Sequence, residues 1–237
     1  EKYGLTEALI AVPAYEQSSD QEVAFQAVDY ILRVLKKNMV FGMTWGRAMH
    51  EFVEQLAKDE RLRSLSFQNV KVVPFLGTPG AIQSDSWNTT TYSNTLATKV
   101  GNLLHCASYN LSAPMYVEGT KEKELIESID EIAKVLHMAE TADIALIGIG
   151  SMQDDSSIIK AEIRTKEEYK ELVRKGAVGE IVGRIYDKNG QTVDEDLKRK
   201  MVGISLDKIA KIPVRVGMSY GKDKIEAIKG AIAGGLV

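Results

Sequence analysis

The sequence has few of the residues that cross-link a chain or hold a metal ion. Its 237 residues include one cysteine, Cys106, and three histidines. A single cysteine excludes an internal disulfide, and none of these residues has the spacing of a structural zinc site. We therefore expect no metal and no resident cofactor, and we interpret the cysteine usage as that of a cytoplasmic protein.

Long apolar runs and a surplus of one charge are also absent. Lys and Arg number 30 against 33 Asp and Glu, for a net charge of −3, and neither sign forms a block. No basic surface for nucleic acid is therefore indicated. The longest apolar stretch, residues 142–150, contains Asp143 and falls far short of the roughly 18 residues of a membrane-spanning helix. We expect no contact with a membrane.

The sequence does contain enough apolar residues for one folded domain. A hydrophobic fraction of 44% with 27% charged residues is that of a globular protein. A chain of this length can bury about 70% of the surface that its unfolded form exposes. Because no repeat, low-complexity stretch or linker divides the chain, we predict a single domain over residues 1–237. The first residue is Glu rather than Met, which we interpret as the start of a fragment.

Apolar runs alternate with segments of helical periodicity, which favours parallel strands connected by crossover helices. Ser19 and Glu22 have the spacing of a capping box at the first helix. We therefore predict a three-layer α/β/α, Rossmann-like domain with a mostly parallel sheet. The predicted strands are 8–12 (ended by Pro13), 39–42, 70–75, 108–111, 144–149 and 214–219, and the predicted helices are 20–37, one from about 45, 90–102, 121–139 and 222–233.

Residues 176–190 interrupt this alternation. Their apolar residues lead to Asn189-Gly190, a dipeptide typical of a hairpin turn. We predict a small antiparallel excursion there.

The most informative local feature is the segment from Phe41 to Arg47, where a strand passes into a helix. A helix start offers unpaired N–H groups and the positive end of the helix dipole to an anion. Gly42 and Gly46 would let a phosphate approach the backbone. Thr44 could donate a hydrogen bond and Arg47 a charged fork. The alternative interpretation is a tight turn with a solvated arginine.

A second glycine turn, Gly148-Ile149-Gly150-Ser151, follows another predicted strand. Gln153 stands where a dinucleotide-binding fingerprint requires its last glycine, so a Rossmann cofactor site is rejected. In open α/β sheets ligands gather beyond the carboxyl ends of strands, and both glycine turns lie at such ends. This suggests one shared pocket, and two unrelated turns are the alternative interpretation.

Three further signals allow more than one interpretation. Ser219 lies in a G-x-S-x-G segment, but all three histidines precede it, so the order of a hydrolase triad fails. Glu180 and Arg184 form either a surface pair or a contact with ligand hydroxyls. Lys224 lies in the first turn of the last helix, where a cation opposes the dipole. A ligand anion would explain this position, and a solvated surface lysine is the alternative.

In this order, the segments resemble the effector-binding domain of the SorC/DeoR family of bacterial sugar-responsive transcription regulators. The similarity extends over nearly the whole chain, and Ala113-Pro114 and both glycine turns fall where the family has matching segments. It is strongest in residues 176–184 (GAVGEIVGR), 202–206 (VGISL), 212–213, 224–228 (KIEAI) and 234–237 (GGLV).

The resemblance implies a fold similar to sugar-phosphate isomerases and CoA transferases, used to sense a phosphorylated sugar rather than to catalyse. Family members carry a helix-turn-helix domain ahead of this region and often assemble as dimers or tetramers. Operator DNA would be contacted only through that domain, which this chain lacks. The family usually continues past residue 237 into one more strand.

The resemblance also implies site residues, position by position. A deoxyribose-phosphate-sensing branch has a Schiff-base lysine where this sequence has Leu76, so we expect noncovalent binding. The phosphate would be held by Gly42, Thr44, Trp45, Gly46, Arg47 and Lys224, and the sugar by Gly77, Asn94, Gly148, Gly150, Ser151 and Glu180.

These observations favour a ligand sensor whose oligomeric arrangement and operator affinity change when a sugar phosphate binds. The competing hypothesis is an aldose-ketose isomerase with Glu180 or Asp154 as the base. A purely structural oligomerisation domain is a third.

Overall fold

The computed structural model describes residues 3–12, 19–80 and 89–237. Short 3-10 turns occur at Glu60–Arg63, Thr89–Thr91 and Lys222–Lys224. The helices and strands, in chain order, are α1 Ser19–Val34, β1 Val40–Met43, α2 Arg47–Leu56, β2 Lys71–Pro74, α3 Ser93–Leu103, β3 Ala107–Ser108, α4 Thr120–Glu127, α5 Asp130–Glu140, β4 Ile144–Gly148, β5 Gly150–Ser151, α6 Ser157–Lys160, α7 Lys166–Arg174, β6 Ala177–Ile181, β7 Arg184–Asp187, α8 Glu195–Lys200, α9 Leu206–Ile209, β8 Val214–Met218 and α10 Ile225–Ala233.

A five-stranded parallel sheet in the order β3-β2-β1-β4-β8 forms the middle layer. Successive residues of β4 point to opposite faces, as strand geometry requires. Ile144 and Leu146 pack into a core with α1, α2 and α3. Ala145 and Ile147 pack into a second core, with α5, α7 and α10. The predicted α/β class and the mostly parallel sheet are confirmed.

The predicted antiparallel excursion is also confirmed, as a three-stranded sheet in the order β5-β6-β7. Its hairpin turn is Val182-Gly183, where both residues have positive φ, at 54° and 69°. A turn of this kind matches the twist of the two strands. Asn189-Gly190 makes a separate turn after β7, closed by an N–H···O bond of 2.9 Å from Gly190 to Asp187.

The prediction of a first strand at residues 8–12 is wrong. These residues form no strand, and Ile10 and Val12 are each 83% exposed. Their apolar, β-branched composition was the only signal for the strand, and composition does not supply a neighbouring strand to pair with. The segment is instead held by a 2.7 Å ion pair from Glu7 to Arg33 of α1. Pro13 lies outside the described residues.

One helix prediction also needed correction. The predicted helix 121–139 is two helices, because Ser128 donates to the Leu125 carbonyl at 2.7 Å and Ile129 adopts an extended conformation. Ser19 is the first described residue of α1, and the capping box proposed for Ser19 and Glu22 stays a prediction.

Gly42 is required by packing in the sheet. It lies in β1 opposite Val73 and Ala145, and a Cβ added there would fall on the ring of Phe75. We expect Gly42→Ala to lower the free energy of unfolding in urea by about 1–3 kcal/mol, because the buried ring must move. Gly80→Ala is the control, since the described residues leave space at Gly80. Equal losses in the two variants would contradict this role.

Candidate functional site

A cleft of about 280 Å³ opens at the carboxyl ends of β1 and β4. The antiparallel sheet and the start of α10 form its other walls. Two of the predicted features, the glycine turn after β1 and the glycine turn after β4, therefore face one space. Of the predicted site residues, those that line it are Trp45, Gly46, Arg47, Gly148, Gly150, Ser151, Glu180 and Lys224.

Thr44 lies just beneath the cleft. Its side chain is buried, and its Oγ1 accepts the Gly148 N–H at 3.0 Å. The Thr44 backbone N–H also donates to the Leu146 carbonyl at 3.1 Å. Thr44 therefore ties the end of β1 to the end of β4 and fixes the two glycine turns relative to each other.

Gly46 sets the start of α2 at the rim. Its φ of 102° lies in the region that favours glycine, and its N–H donates to the Thr91 carbonyl at 2.9 Å. Within the described part of the chain, no side chain caps α2. The first amides of this helix thus lie beside the cleft, with the positive end of the dipole. Arg47, two-thirds exposed, pairs with Asp155 at 3.0 Å.

Glu180, on β6, is a buried carboxyl group in the wall of the cleft. Burial raises its pKa to about 7, although hydrogen bonds from the Gly183 N–H and the Trp45 side chain and the charges of Lys224 and Arg184 act in the opposite direction. Gly150 faces Glu180 across the strand pair, and a Cβ there would lie 2.8 Å from Oε2. A glycine at position 150 therefore leaves room for this carboxyl group in the wall of the cleft.

Lys224, Ser151 and Asp223 form a hydrogen-bonded group that also lines the cleft. The Lys224 Nζ donates to the Ser151 Oγ at 2.8 Å, and the Ser151 hydroxyl donates to the Asp223 Oδ2 at 2.6 Å. The hydrogen bond from Ser151 and the nearby ammonium group hold the pKa of Asp223 below its usual value.

Three predicted residues have other positions. Gly42 lies within β1, as described above. Gly77 lies so close to the carbonyls of Ala113 and Pro114 that a Cβ would overlap them. Asn94 holds the chain near Leu111, accepting its N–H at 2.8 Å and donating to its carbonyl at 3.0 Å. None of the three lines the cleft as the described residues define it, and their contact with a ligand stays a prediction.

Several residues of the cleft were not predicted. Asp155, Ser156 and Ser157 approach it from the loop before α6 and its first residue, and Tyr220 and Asp223 from the segment before α10. The G-x-S-x-G segment around Ser219 was the one sequence signal next to Tyr220 and Asp223.

The sequence profile of a family described as "Putative sugar-binding domain" matches residues 1–237. The chain belongs to this sugar-binding domain family.

Named relatives place this sugar-binding domain in SorC/DeoR-type regulators. It is 27% identical to the Sorbitol operon regulator of Klebsiella pneumoniae, over 99% of this chain and 72% of that protein. It is 24% identical to the Deoxyribonucleoside regulator of Bacillus subtilis, with the same coverage. These relatives are transcriptional regulators, not enzymes.

Solved structures agree with this placement. The full-length SorC structure from Klebsiella pneumoniae matches with a TM-score of 0.87 and 25% identity, over 100% of this chain and 73% of that chain. A DeoR family regulator from Listeria monocytogenes has the same fold, with a TM-score of 0.85 at 24% identity, over 100% and 90%. The sugar-binding domain is thus the effector domain of a SorC/DeoR-family regulator. None of its described helices meets the length and hydropathy needed to span a bilayer.

The raised pKa of Glu180 predicts a pH effect on stability. Between about pH 4.5 and 7 the folded protein keeps a proton that the unfolded chain has lost, so this group makes the protein less stable as pH rises through that range. Gln has the same shape and does not titrate. We expect the melting temperature of Glu180→Gln, relative to the unsubstituted protein, to increase from pH 5 to pH 8. Melting temperatures that run parallel across this range would contradict the assignment.

Proposed function

We propose that the cleft binds a phosphorylated sugar reversibly and without a covalent bond. The observation that carries this proposal is the combination, in one cleft, of the start of α2, the Lys224 ammonium group and the Glu180 carboxyl group. Helix-start amides and an ammonium group attract a phosphate, whereas a carboxyl group can accept hydrogen bonds from sugar hydroxyls. A neutral sugar would explain neither the helix-start amides nor the ammonium group in the cleft.

The size and polarity of the cleft support a small, polar ligand. Its volume of about 280 Å³ lies at the lower end of small-molecule sites and suits a single sugar unit. Hydroxyl groups of Ser151, Ser156 and Ser157 supply further donors and acceptors along its wall. Serine hydroxyls rotate, so they can hydrogen-bond to sugar hydroxyls that point in different directions.

The noncovalent character of binding rests on Leu76. This residue is fully buried, and its carbonyl accepts a hydrogen bond from the Ser93 hydroxyl at 2.8 Å. An aliphatic side chain cannot form the Schiff base implied for the deoxyribose-phosphate-sensing branch. Lys224, which does line the cleft, has its amine engaged by Ser151 and lies 3.5 Å from the Asp223 carboxylate.

In the intact regulator, we propose that the bound ligand favours one arrangement of a homodimer or homotetramer and thereby changes operator affinity. DNA would be contacted through a helix-turn-helix domain ahead of this region. A ligand that prefers one arrangement by about 1–3 kcal/mol changes DNA affinity roughly 5- to 150-fold, so modest selectivity is sufficient.

Calorimetric titration with matched pairs of phosphorylated and unphosphorylated sugars tests the ligand class. We expect at least one sugar phosphate to bind, its unphosphorylated partner to bind at least about tenfold more weakly, and sedimentation to report a change in assembly. NMR on the same samples should show no aldose-ketose exchange. Equal affinity for both members of every pair, or turnover, would overturn the proposal.

Lys224→Ala tests the phosphate contact within the cleft. Loss of a charge-assisted hydrogen bond should weaken binding of the sugar phosphate by about 10- to 100-fold, measured by the same titration. Lys222→Ala removes the same charge two residues away, from a side chain that does not line the cleft. Equal effects of the two substitutions would show that only net charge matters and would reject a specific role for Lys224.

A further inference from the structure

The Asp223 carboxylate accepts hydrogen bonds from donor groups that face the cleft, so these donors already have a partner. It accepts the Ser151 hydroxyl at 2.6 Å and its own backbone N–H, and its Oδ2 lies 3.5 Å from the Lys224 Nζ. A hydroxyl, a backbone amide of the 3-10 turn and an ammonium group are the same kinds of donor that bind a ligand anion. Asp223 thus holds these donors in the way that an anionic ligand would.

The backbone at Gly221 makes this position of Asp223 possible. Gly221 has a φ of 102°, and a Cβ added there would lie 2.6 Å from the Asp223 Oδ1. Any side chain at position 221 would therefore push the carboxylate away from the start of α10. The carboxylate is also half-exposed, with a side-chain accessibility of 43%, so it is free to swing out into water.

On the basis of the function proposed above, we propose that Asp223 is an intramolecular competitor of the ligand's anionic group and selects phosphate esters over carboxylates such as sugar acids. A free carboxylate gains nothing by replacing an identical group that is already tethered beside the donors, because the tethered group has a high effective concentration. A phosphate dianion brings more charge and a third acceptor oxygen, so it gains from the exchange.

The other acidic residues of the cleft do not have this arrangement. Asp155 pairs with the exposed guanidinium of Arg47 at the rim, at 3.0 Å. Glu180 is buried, and it accepts hydrogen bonds from Gly183 and Trp45 rather than from Lys224. Among the residues that line the cleft, Asp223 is therefore the carboxylate in contact with Lys224, the residue predicted to bind the phosphate group.

The test is calorimetric titration of the unsubstituted protein and Asp223→Asn with inorganic phosphate and with acetate at pH 8. For the unsubstituted protein we expect phosphate to bind and acetate to give no signal. In Asp223→Asn we expect phosphate to bind at least about fivefold more tightly and acetate binding to become measurable, because the competing charge is gone. Asp223→Ala, which also removes the acceptor, should show the same two gains.

Glu226→Gln is the matched control. It removes one negative charge three residues from Asp223, in the first turn of α10, but Glu226 pairs with Lys229 at 2.7 Å and does not line the cleft. We expect its affinity for phosphate to stay within about twofold of the unsubstituted protein. Circular dichroism of each variant confirms that the fold is retained.

Unchanged or weaker phosphate binding by both Asp223 variants, or an equal gain in Glu226→Gln, would overturn the competitor role. So would acetate binding to the unsubstituted protein as tightly as phosphate does. These results leave the proposed function standing if a sugar phosphate still binds. Absence of binding by any phosphate compound, in every variant, would overturn both.

Discussion

The parallel pairing of β1 with β4 is the constraint on which the candidate site depends. It places two glycine turns, distant in sequence, at one edge of the sheet, and Thr44 fixes their relative position through its hydrogen bond to Gly148. The start of α2, the wall formed by β5 and β6, and the segment before α10 then converge on one space. Without this pairing, Arg47, Glu180 and Lys224 would be isolated polar residues on separate elements.

The cleft is a place where opposite charges stand close together and are not fully neutralised. Two cations, Arg47 and Lys224, each lie within 4 Å of an aspartate, while the carboxyl group of Glu180 is buried without a salt bridge. Burial of the Glu180 carboxyl group without a salt bridge costs stability, because a buried charge is poorly solvated. Residues that lower stability in this way are more typical of binding sites than of a packed core.

Much of the fold and part of the site followed from sequence, because some features have local causes. Continuous apolar runs identified β4 as a buried strand, and the rule that ligands bind at the carboxyl ends of parallel strands joined the two glycine turns in one pocket. The false strand at residues 8–12 shows the limit of composition, since pairing needs a partner edge. Asp155 and Asp223 were missed because an acidic residue near a cation looks like any solvated surface pair until the chain is folded. The helix dipole already indicated an anion near Lys224, whereas Glu180 could be assigned a role only through the family resemblance.

The hairpin turn at Val182-Gly183 connects the cleft, through hydrogen bonds, to the loop ahead of α9. Val182 is a β-branched residue with φ of 54°, a strained conformation, and the turn is held on one side by the Glu180 carboxyl group. On the other side, the guanidinium of Arg184 donates to the carbonyls of Val182 and Gly203. A ligand that draws the Glu180 side chain toward itself would weaken the hydrogen bond that holds this strained turn. The loop ahead of α9 would then relax with the turn.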